Sequence, residues 1–419
     1  MNVTVKNGSL KGEVLIPSSK SVAHRMIIAS VISGTRISVL GNLKSKDIVA
    51  TLDCMEMLGA TVLRNNDGAI IDASNLKVKG NIFDVNESGS TMRFLLPLLP
   101  VYMDEFKMLG RGRIGERPIS ALRKAMGDCG VTVDSDFLPA NVSGTYASNN
   151  FSVDAGVSSQ FVTGLLFTLM ALGGGRLKIE GELTSKGYVN VTLGVLEKFG
   201  VSVEYGNGIY ILSRLEDTTV PKEVVVNGDW SSACFWIVQG VLGGDITIKG
   251  LEYPDHQPDS IILSVIKEMG GDVTYNNDSV RARKSDLKAI NFDADGSPDI
   301  VPILAVACAL AEGVSTITGT RRLRLKESDR VKAVTDMLSN CGVKVESGEN
   351  YIKIWGTKEI SGGTIDSQND HRIAMSGIVL GSTSKDDVIV NGVECVAKSY
   401  PDFLKDFEIL GGKYEESKS

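Results

Sequence analysis

Apolar and polar positions along this chain of 419 residues form a pattern that recurs six times. Each copy contains an amphipathic stretch with apolar residues at helical spacing, followed by a glycine and a β-like pair, as in LDCMEMLGATV. The marker glycines lie 69 to 72 residues apart, at Gly59, Gly130, Gly200, Gly270, Gly342 and Gly411. So regular a spacing indicates an internal repeat that spans the whole chain.

A second, almost wholly apolar run precedes the amphipathic one in every copy. A helix that is apolar on all sides is buried on all sides, so each run predicts a core helix. The small or polar residues that open the runs suit a helix N-cap. The runs are SSKSVAHRMIIASVISG, ESGSTMRFLLPLLPVY, SSQFVTGLLFTLMALGGG, DWSSACFWIVQGVLGG, SPDIVPILAVACALAEG and NDHRIAMSGIVLGST.

Short β-branched segments complete each copy. One strand lies between the two helices, as in TRISVLG or VSTITG. After the second helix, stretches such as ATVLRNNDGAIIDAS have the pattern of a hairpin whose turn is NNDG. The repeat is therefore a βαβαββ unit, and the predicted fold class is α/β.

The ends of the chain indicate how the six units are grouped. The sixth copy lacks its closing hairpin, whereas the first seventeen residues have a hairpin pattern with KNGS as the turn. We therefore predict that the N-terminal strands complete the last unit. Two similar domains follow, each with three βαβαββ units around buried helices. One covers 17–226 and the other combines 1–16 with 227–419, and the two chain crossings would form a two-strand hinge.

Composition narrows the class of protein. A hydrophobic content of 42% with 23% charged residues is typical of a soluble globular protein. The net charge of −7 disfavours nucleic-acid binding, which needs a broad basic surface. No apolar stretch is long enough for a membrane span, and the amino terminus has no apolar signal core, so we expect a cytoplasmic protein. The six cysteines show no CxxC pairs, which argues against zinc and disulfides.

Unusual polar side chains gather at two kinds of turn, the start of the buried helix and the start of the second helix. Helix N-termini offer unpaired N–H groups and a positive dipole to phosphates and carboxylates. The candidates at the first kind are Lys20, Ser21, Arg25, Gly89, Ser158, Ser159, Gln160, Asp299 and Arg372. Those at the second kind are Arg113, Ser185, Tyr188, Lys326, Glu327, Arg330 and Lys398. Each residue alone also fits a solvated helix start, but recurrence at equivalent turns favours a binding site.

The charge balance of these turns points to anionic substrates. RRLRLKESDR at 321–330 places seven charges in ten positions of an acidic chain. Counted over all the turns, seven cationic side chains are available, more than one monoanion needs. Two substrates that each carry a phosphate and a carboxylate would match this supply. Asp299 and Glu327 stand among the cations as candidates for proton transfer.

Two weaker motifs do not change this prediction. GRGRIG at 110–115 fits GxGxxG, but a strand–turn–helix context is missing because the next helix starts only near Pro118. His371 lies between Asp370 and Arg372 at a helix start, where a catalytic and a structural role both remain open.

The collected segments resemble the successive motifs of the 5-enolpyruvylshikimate-3-phosphate synthase family, in the same order and over nearly the whole chain. They are SSKSVAHR, SGSTMR, GERPI, SSQF, GDWSSA, LKESDR, NDHRIAMS and AKSYPDF. The family fold, two domains of three βαβαββ units, agrees with the repeat found independently.

The resemblance implies transfer of the enolpyruvyl group of phosphoenolpyruvate to the 5-hydroxyl of shikimate 3-phosphate, with release of phosphate. It implies no cofactor and no metal, and we expect a monomer that binds small anionic substrates. For shikimate 3-phosphate it implies Lys20, Ser21, Arg25, Ser158, Ser159, Gln160, Ser185, Tyr188, Asp299, Arg322 and Lys326. For phosphoenolpyruvate it implies Lys20, Gly89, Arg113, Gln160, Arg330, Arg372 and Lys398. Lys20, Asp299 and Glu327 would handle protons, and substrate binding would close the hinge.

Three positions depart from the family pattern. Arg322 stands where other members carry an asparagine, and Glu87 and Phe94 stand where others have Asn and Pro. Gly89 matches the usual glycine, which implies inhibition by glyphosate.

Three alternative functions fit part of the sequence pattern. UDP-N-acetylglucosamine enolpyruvyl transferase shares the fold and chemistry, but its cysteine should precede GERP, where this chain has Gly110-Arg111-Gly112-Arg113. An RNA-end-processing enzyme is disfavoured by the acidic charge. A non-catalytic repeat scaffold would explain the periodicity but not the acid, base and cations at the helix starts.

Overall fold

The computed structural model describes residues 1–156, 158–183, 185–214, 219–253 and 255–417. The chain separates into two compact units. We call Ser18–Val226 the first unit, and Met1–Pro17 together with Asn227–Ser419 the second unit. This division places Pro17 in the second unit, whereas the sequence pattern placed it in the first.

The helices alternate between the two predicted kinds. Buried helices are α1 (Lys20–Ile32), α3 (Gly89–Leu98), α5 (Ser159–Ala171), α7 (Trp230–Gly243), α9 (Val301–Ala309) and α11 (His371–Thr383). Amphipathic helices are α2 (Lys46–Leu58), α4 (Ser120–Gly127), α6 (Lys186–Lys198), α8 (Ile262–Glu268), α10 (Arg330–Asn340) and α12 (Phe403–Ile409). The apolar runs and the amphipathic stretches of the sequence are thus confirmed as helices, in the predicted order.

The strands are short, and most carry alternating buried and exposed residues. In the first half of the chain they are β1 (Asn2–Lys6), β2 (Leu10–Leu15), β3 (Arg36–Leu40), β4 (Thr61–Asn65), β5 (Gly68–Asp72), β6 (Ile82–Asp84), β7 (Glu105–Leu109), β8 (Thr132–Val133), β9 (Ala140–Ser143), β10 (Asn150–Asp154), β11 (Gly174–Glu180) and β12 (Val201–Gly206). The others are β13 (Ile209–Arg214), β14 (Glu223–Val225), β15 (Gly244–Lys249), β16 (Asp272–Asn276), β17 (Ser279–Arg283), β18 (Asn291–Asp293), β19 (Val314–Thr318), β20 (Val345–Ser347), β21 (Tyr351–Trp355), β22 (Gly363–Asp366), β23 (Val388–Asn391) and β24 (Lys413–Ser417).

The strands of each repeat form a small four-stranded sheet. In the first unit the strand orders are β14-β3-β5-β4, β6-β7-β9-β8 and β10-β11-β13-β12. The first two strands of each order are parallel and the remaining pairings are antiparallel. The second unit has the orders β2-β15-β17-β16, β18-β19-β21-β20 and β22-β23-β1-β24. The predicted α/β class with six βαβαββ repeats is confirmed.

The predicted N-terminal hairpin is wrong. β1 lies between β23 and β24 in the sheet of the sixth repeat, whereas β2 pairs in parallel with β15 in the sheet of the fourth repeat. The reason is which strand positions remain unfilled in the sheets of the fourth and sixth repeats. β24 already fills the outer place beside β1, and the strand that precedes α7, β14, pairs with β3 in the first unit. The fourth repeat therefore needs a parallel first strand, and β2 supplies it.

Each unit has its own hydrophobic core around its three buried helices. In the first unit Gly164 of α5 lies against the backbone of Arg93 in α3, where a Cβ would collide with that carbonyl. In the second unit the Trp236 ring of α7 stacks on Phe403 of α12, with ring centroids 4.6 Å apart. Close helix contacts of this kind leave the polar helix starts at one end of each core. Among the described residues, the helices are all too short or too polar to cross a membrane.

Candidate active site

The carboxylate of Asp299 is the centre of a charged cluster in the second unit. It lies in a single 3₁₀ turn, Pro298–Ile300, just before α9. Its Oδ1 accepts hydrogen bonds from Lys326 Nζ at 3.3 Å and from Arg330 Nη1 at 2.7 Å. Its Oδ2 accepts one from Arg372 Nη2 at 3.1 Å. The structure therefore brings four sequence-predicted residues from three helix starts within direct contact.

Arg330 connects this centre to two further carboxylates. Its Nη2 donates to Glu327 Oε2 at 2.6 Å, and its Nε donates to Asp370 Oδ2 at 2.8 Å. The Arg330 side chain is only 1% exposed, so these carboxylates provide the charge balance that a buried guanidinium needs. Ser328 also donates to Asp370, at 3.0 Å. Arg330 thus fixes the positions of the acids.

Helix starts explain this convergence. Asp329 caps α10 by accepting from Lys332 N, and Asp370 caps α11 by accepting from Arg372 N at 3.0 Å. Each cap fixes the first turn of its helix and aims the next cationic side chain toward Asp299. The sequence had marked the same turns.

The electrostatics of the cluster are strongly coupled. Burial alone would raise the pKa of Asp299, but Arg372, Lys326 and Arg330 together hold that pKa well below its usual range. Burial lowers the pKa of Lys326, although Asp299 partly opposes the shift. Asp299 is therefore ionised at neutral pH. Its side chain remains 20% exposed, so it is accessible from one side.

Lys398 extends the cluster along the turn before α11. Its Nζ donates to the backbone oxygen of Asn369 at 2.7 Å. Gln368 and Asn369 have φ angles of 52° and 58°, a left-handed conformation that is uncommon for residues other than glycine. Strained turns of this kind concentrate at functional sites. His371, which follows, is buried at the first position of α11.

A second buried acid, Asp259, was not predicted from the sequence. It lies in the 3₁₀ turn before α8 and accepts a short hydrogen bond from Ser231 of α7. Burial first, and then the charge of Asp299, raises the pKa of Asp259 to about 6, with Arg372 opposing. The second unit therefore holds one acid that stays ionised and one that titrates close to neutral pH. No motif in the sequence marked Asp259, because its role depends on a fold contact.

The rest of RRLRLKESDR divides between the surface and the cluster. Arg322 donates to the side chain of Asp295 at 2.6 Å, with a side chain 15% exposed. Arg321 is 70% exposed and pairs with Glu349. Arg324 pairs with the capping residue Asp329 at 3.2 Å. Lys326, Glu327 and Arg330 belong to the charged cluster around Asp299, Ser328 joins it through Asp370, and the charge of Arg322 acts on Lys326.

In the first unit, Lys20 lies at the first position of α1 and is paired with Asp47 of α2. The distance from its Nζ to Asp47 Oδ2 is 3.0 Å, and both side chains are mostly buried. Asp47 was missed, although it follows the N-cap Ser45 at the start of a second helix. Asp47 and Lys326 both lie near the start of the second helix of a repeat, so the signal was present.

Arg25 is a fully enclosed side chain. Its guanidinium donates to Thr192 Oγ1 at 2.8 Å, to the Ser21 carbonyl at 2.6 Å and to the Tyr188 carbonyl at 3.0 Å. The Phe94 ring lies 5.0 Å from its Cζ. Burial lowers the pKa of Arg25 to about 9. These contacts tie α1 to α6, and they direct the guanidinium toward protein groups.

The first turn of α3 forms a second cationic group around Gly89. A Cβ on Gly89 would lie 2.8 Å from a guanidinium nitrogen of Arg93 and 2.8 Å from one of Arg117. Both arginines are buried, with exposures of 7% and 8%. Gln160 accepts from Arg93 at 2.8 Å and donates to Ser90 at 2.9 Å. A side chain at this position would therefore displace the two guanidinium groups that approach the helix start.

The structure places Arg117, like Arg93, beside Gly89, whereas Arg113 pairs with Glu116. Arg113 is 45% exposed and pairs with Glu116, only three residues along the chain. Both arginines occur in GRGRIGERP, and the pattern could not show which one points inward. The deciding feature is the 3₁₀ turn Gly112–Glu116, which buries Ile114 and directs Arg117 inward.

The remaining candidates lie at the starts of α5 and α6. Ser158 caps α5 and accepts from Gln160 N at 3.3 Å, and Ser159 is buried beside it. Ser185 caps α6 with a φ of 50°, and the Tyr188 carbonyl accepts from Arg25. The structure therefore places these serines at the starts of α5 and α6.

Comparison with known proteins supplies the family. Residues 5–407 match the protein-family model described as EPSP synthase (3-phosphoshikimate 1-carboxyvinyltransferase). The chain is 37% identical over 417 residues to a 3-phosphoshikimate 1-carboxyvinyltransferase of Clostridium perfringens, with 98% of each chain covered. It is 34% identical to the protein of that name from Clostridioides difficile, with 97% of each covered.

Solved structures of similar fold agree. An EPSP synthase from Acinetobacter baumannii superposes with a TM-score of 0.83 at 25% identity, over the full length of both chains. The enolpyruvyl transferase NikO from Streptomyces tendae superposes with a TM-score of 0.78 at 18% identity, covering 100% of this chain and 99% of that one. The second likeness concerns the fold alone.

Proposed function

The chain belongs to the EPSP synthase (3-phosphoshikimate 1-carboxyvinyltransferase) family, and from this premise we propose how its residues divide the family's reaction. The reaction transfers the enolpyruvyl group of phosphoenolpyruvate to the 5-hydroxyl of shikimate 3-phosphate and releases phosphate. The observation that carries the assignment of residues is the Asp299 cluster, in which three cations and a second acid surround one accessible carboxylate.

We assign the proton transfers to three residues. The hydroxyl of shikimate 3-phosphate must lose a proton as it attacks C2 of phosphoenolpyruvate, and C3 must gain one. Asp299 is the proposed acceptor, and Glu327 and Lys20 are the proposed donors. The depressed pKa of Asp299 makes it a weak base in the free enzyme. Anionic substrates would neutralise Arg372 and Lys326, so the pKa of Asp299 would rise toward its ordinary value.

The cations have two roles in this proposal. C–O bond formation and C3 protonation together give a tetrahedral adduct, which then expels phosphate and loses a C3 proton. Charge grows on the phosphate as it leaves, and fixed cations stabilise it. Arg372, Lys398 and Lys20 are proposed to bind phosphoenolpyruvate directly. Arg330 is bound to three carboxylates, which supports a positioning role.

Around Gly89 we propose a second anion-binding group of Gly89, Arg93, Arg117 and Gln160. The support is the buried convergence of two guanidinium groups on a helix start. Arg113 becomes the weaker candidate. The residues proposed to bind shikimate 3-phosphate are Lys326, Arg322, Ser21, Ser158, Ser159, Ser185 and Tyr188. The enclosed Arg25 would hold in place the backbone of Ser21 and Tyr188, next to this substrate.

The assay that tests the function is phosphate release from phosphoenolpyruvate, with shikimate 3-phosphate or UDP-N-acetylglucosamine as the acceptor. Release with the shikimate acceptor alone is expected. Release with only the nucleotide sugar would favour the alternative transferase. Arg372→Ala should chiefly raise the KM for phosphoenolpyruvate, whereas a change in kcat alone would contradict its binding role.

We further propose a cytoplasmic, monomeric enzyme that glyphosate inhibits. Support for inhibition comes from Gly89, because the guanidinium groups of Arg93 and Arg117 converge on this helix start. An inhibition curve that stays flat into the millimolar range would contradict the proposal.

A further inference from the structure

A chain of buried hydrogen bonds runs beneath the starts of three helices of the first unit. His24 Nδ1 of α1 lies 2.7 Å from Thr51 Oγ1 of α2, and Thr51 Oγ1 lies 2.7 Å from Thr91 Oγ1 of α3. Thr91 Oγ1 then lies 2.7 Å from Ser88 Oγ. All four side chains are fully buried. We call these residues the hydroxyl chain.

The hydroxyl chain ends at groups that lie next to the proposed phosphoenolpyruvate residues. Ser88 is the N-cap of α3, and the next residue is Gly89. The backbone carbonyl of Asp47, whose side chain pairs with Lys20, accepts weaker hydrogen bonds from Thr51 at 3.4 Å and from Thr91 at 3.5 Å. One network therefore connects the first turn of α3 to the Lys20–Asp47 pair.

The protonation of His24 gives the hydroxyl chain a direction. His24 Nε2 is buried and has no hydrogen-bond partner among the described residues. A buried N–H without an acceptor is more costly than a bare lone pair, so Nδ1 carries the proton and donates to Thr51. Burial, with Lys20 and Arg25 nearby, lowers the pKa of His24 well below its usual value and keeps the ring neutral.

Each threonine hydroxyl then has one proton and one short hydrogen bond in which to donate it, since the Asp47 carbonyl lies farther away. Thr51 accepts from His24 and donates to Thr91, and Thr91 donates to Ser88. Ser88 also accepts from the backbone N–H of Thr91 at 3.2 Å, the bond that caps α3. Hydrogen bonds that point the same way strengthen one another. The chain therefore sets both the spacing of the three helices and the capped geometry of α3.

We propose that the hydroxyl chain is a positioning device for phosphoenolpyruvate, which holds Gly89 at a fixed distance from Lys20. The proposal rests on the assignment of those two residues to phosphoenolpyruvate. His24, Thr51, Thr91 and Ser88 touch no substrate in it, and they act through the backbone of α3 and through Asp47.

The main test is Thr51→Val, which removes the central hydroxyl and keeps the side-chain shape. Because Gly89 and Lys20 would lose their fixed spacing, the KM for phosphoenolpyruvate should rise about tenfold, the effect of one lost hydrogen bond. The kcat and the KM for shikimate 3-phosphate should stay within about twofold. Thr51→Ser restores the hydroxyl and should restore the KM.

Thr168→Val is the matched control. Thr168 is a fully buried threonine of α5 in the same unit, and its hydroxyl donates only to the Gly164 carbonyl of its own helix, at 2.9 Å. Its loss should leave both KM values unchanged. Equal KM effects from Thr51→Val and Thr168→Val would overturn the proposal, because they would indicate general destabilisation.

A second measurement examines the direction of the chain without any substitution. Nitrogen NMR of the histidine rings should show His24 protonated at Nδ1 and unchanged across neutral pH. His24→Asn keeps an N–H donor near the position of Nδ1 and should behave like the unmodified protein, whereas His24→Leu should match Thr51→Val. A ring protonated at Nε2 would overturn the directed chain even if a variant failed to fold.

Gly89→Ala distinguishes a failure of the positioning proposal from a failure of the assignment of Gly89 to phosphoenolpyruvate binding. If Gly89→Ala leaves the KM for phosphoenolpyruvate unchanged, the assignment of Gly89 is wrong. If Gly89→Ala raises this KM and Thr51→Val does not, the assignment stands and the positioning role is wrong.

Discussion

Arg330 shows how one buried side chain can organise the proposed reaction centre around Asp299. It is 1% exposed and contacts the carboxylates of Asp299, Glu327 and Asp370. The negative charges raise the pKa of Arg330 well above its usual range, although burial opposes them. The sequence identified Arg330 as a cation at a helix start, but a residue pattern does not distinguish a buried cation from one that faces a ligand.

Glu327→Gln tests the proposed proton donor. Glutamine keeps the size of the side chain and an oxygen acceptor for Arg330, but it cannot donate an acidic proton. We expect kcat to fall by roughly two to three orders of magnitude, with little change in either KM, because general acid catalysis contributes on this scale. Steady-state phosphate release measures both constants.

The matched control is Glu359→Gln in the same unit, where the glutamate is 71% exposed and pairs with Lys385. It should leave kcat unchanged. A near-normal kcat for Glu327→Gln would remove Glu327 from the proton-transfer steps.

Asp259 should make the free energy of unfolding decrease as the pH rises. Its folded-state pKa of about 6 lies above the ordinary value of 3.8, mainly through burial. The stabilisation from the protonated acid is complete below the ordinary value and is lost as pH rises through 6. Asp259→Asn has no such loss. Its Tm relative to the unmodified protein should therefore rise by roughly 5 °C between pH 4.5 and pH 7.5.

Asp245→Asn provides a control of opposite sign. The hydrogen bond and charge of Arg281 lower the pKa of Asp245, so its contribution is present above the ordinary value and is lost as pH falls. The relative Tm of that variant should therefore stay nearly constant between pH 4.5 and pH 7.5 and should rise only as the pH falls below about 3.8. If both variants show the same trend, the buried acid is not responsible.

At the scale of elements, the helix starts hold the proposed site residues and the apolar runs form the hydrophobic cores. The buried helices were predictable because a run that is apolar on every side has only one stable environment. The position of each polar turn followed from the repeat. The inward direction of Arg117, rather than Arg113, did not follow, because a 3₁₀ turn between them decides it. Asp259 was missed for a related reason, since its contact with Ser231 joins two different helices.

Asp370→Ala tests how far one helix start depends on a single acid. Asp370 caps α11 and accepts from Ser328 and Arg330. Its loss leaves the buried guanidinium with one carboxylate fewer, which costs about 3 kcal/mol when a buried pair is broken. We expect a lower free energy of unfolding and a large loss of activity, measured by denaturant titration and phosphate release.

Asp336→Ala is the comparison for this variant. Asp336 lies on the exposed side of α10 and pairs with Lys332, so its removal should change the free energy of unfolding by less than about 1 kcal/mol. If both variants lose a similar free energy of unfolding, Asp370 contributes no more to stability than an exposed ion pair does.

At the scale of the whole molecule, strand pairing defines the two units in a way that the chain order conceals. β14 pairs with β3 and therefore completes the first unit, although it leads along the chain into α7 of the second. β1 occupies an inner position of its sheet, and its Val3 and Val5 are fully buried. Periodicity predicted that the N-terminal strands join the end of the chain. It could not assign β1 and β2 to different sheets, because that choice depends on which edges are vacant.

This pairing predicts which parts of the chain fold alone. Residues 18–226 contain every strand of their three sheets, so this segment should unfold cooperatively when it is produced by itself. Residues 227–417 lack β1 and β2. Without β1, the sheet of the sixth repeat would lose the strand that lies between β23 and β24. We expect that segment to be aggregated or to lack a cooperative transition, as measured by calorimetry.

A permuted segment that continues from residue 417 through a short Gly/Ser linker into residues 1–17 should recover the transition, because Asn2 lies opposite Ser417 in the β1–β24 pair. A linker of this kind needs only a few residues to join paired positions. The same permuted segment with Val3→Asp and Val5→Asp is the control and should remain unfolded. Cooperative folding of 227–417 alone would show that β1 is dispensable, which its inner position in the sheet argues against.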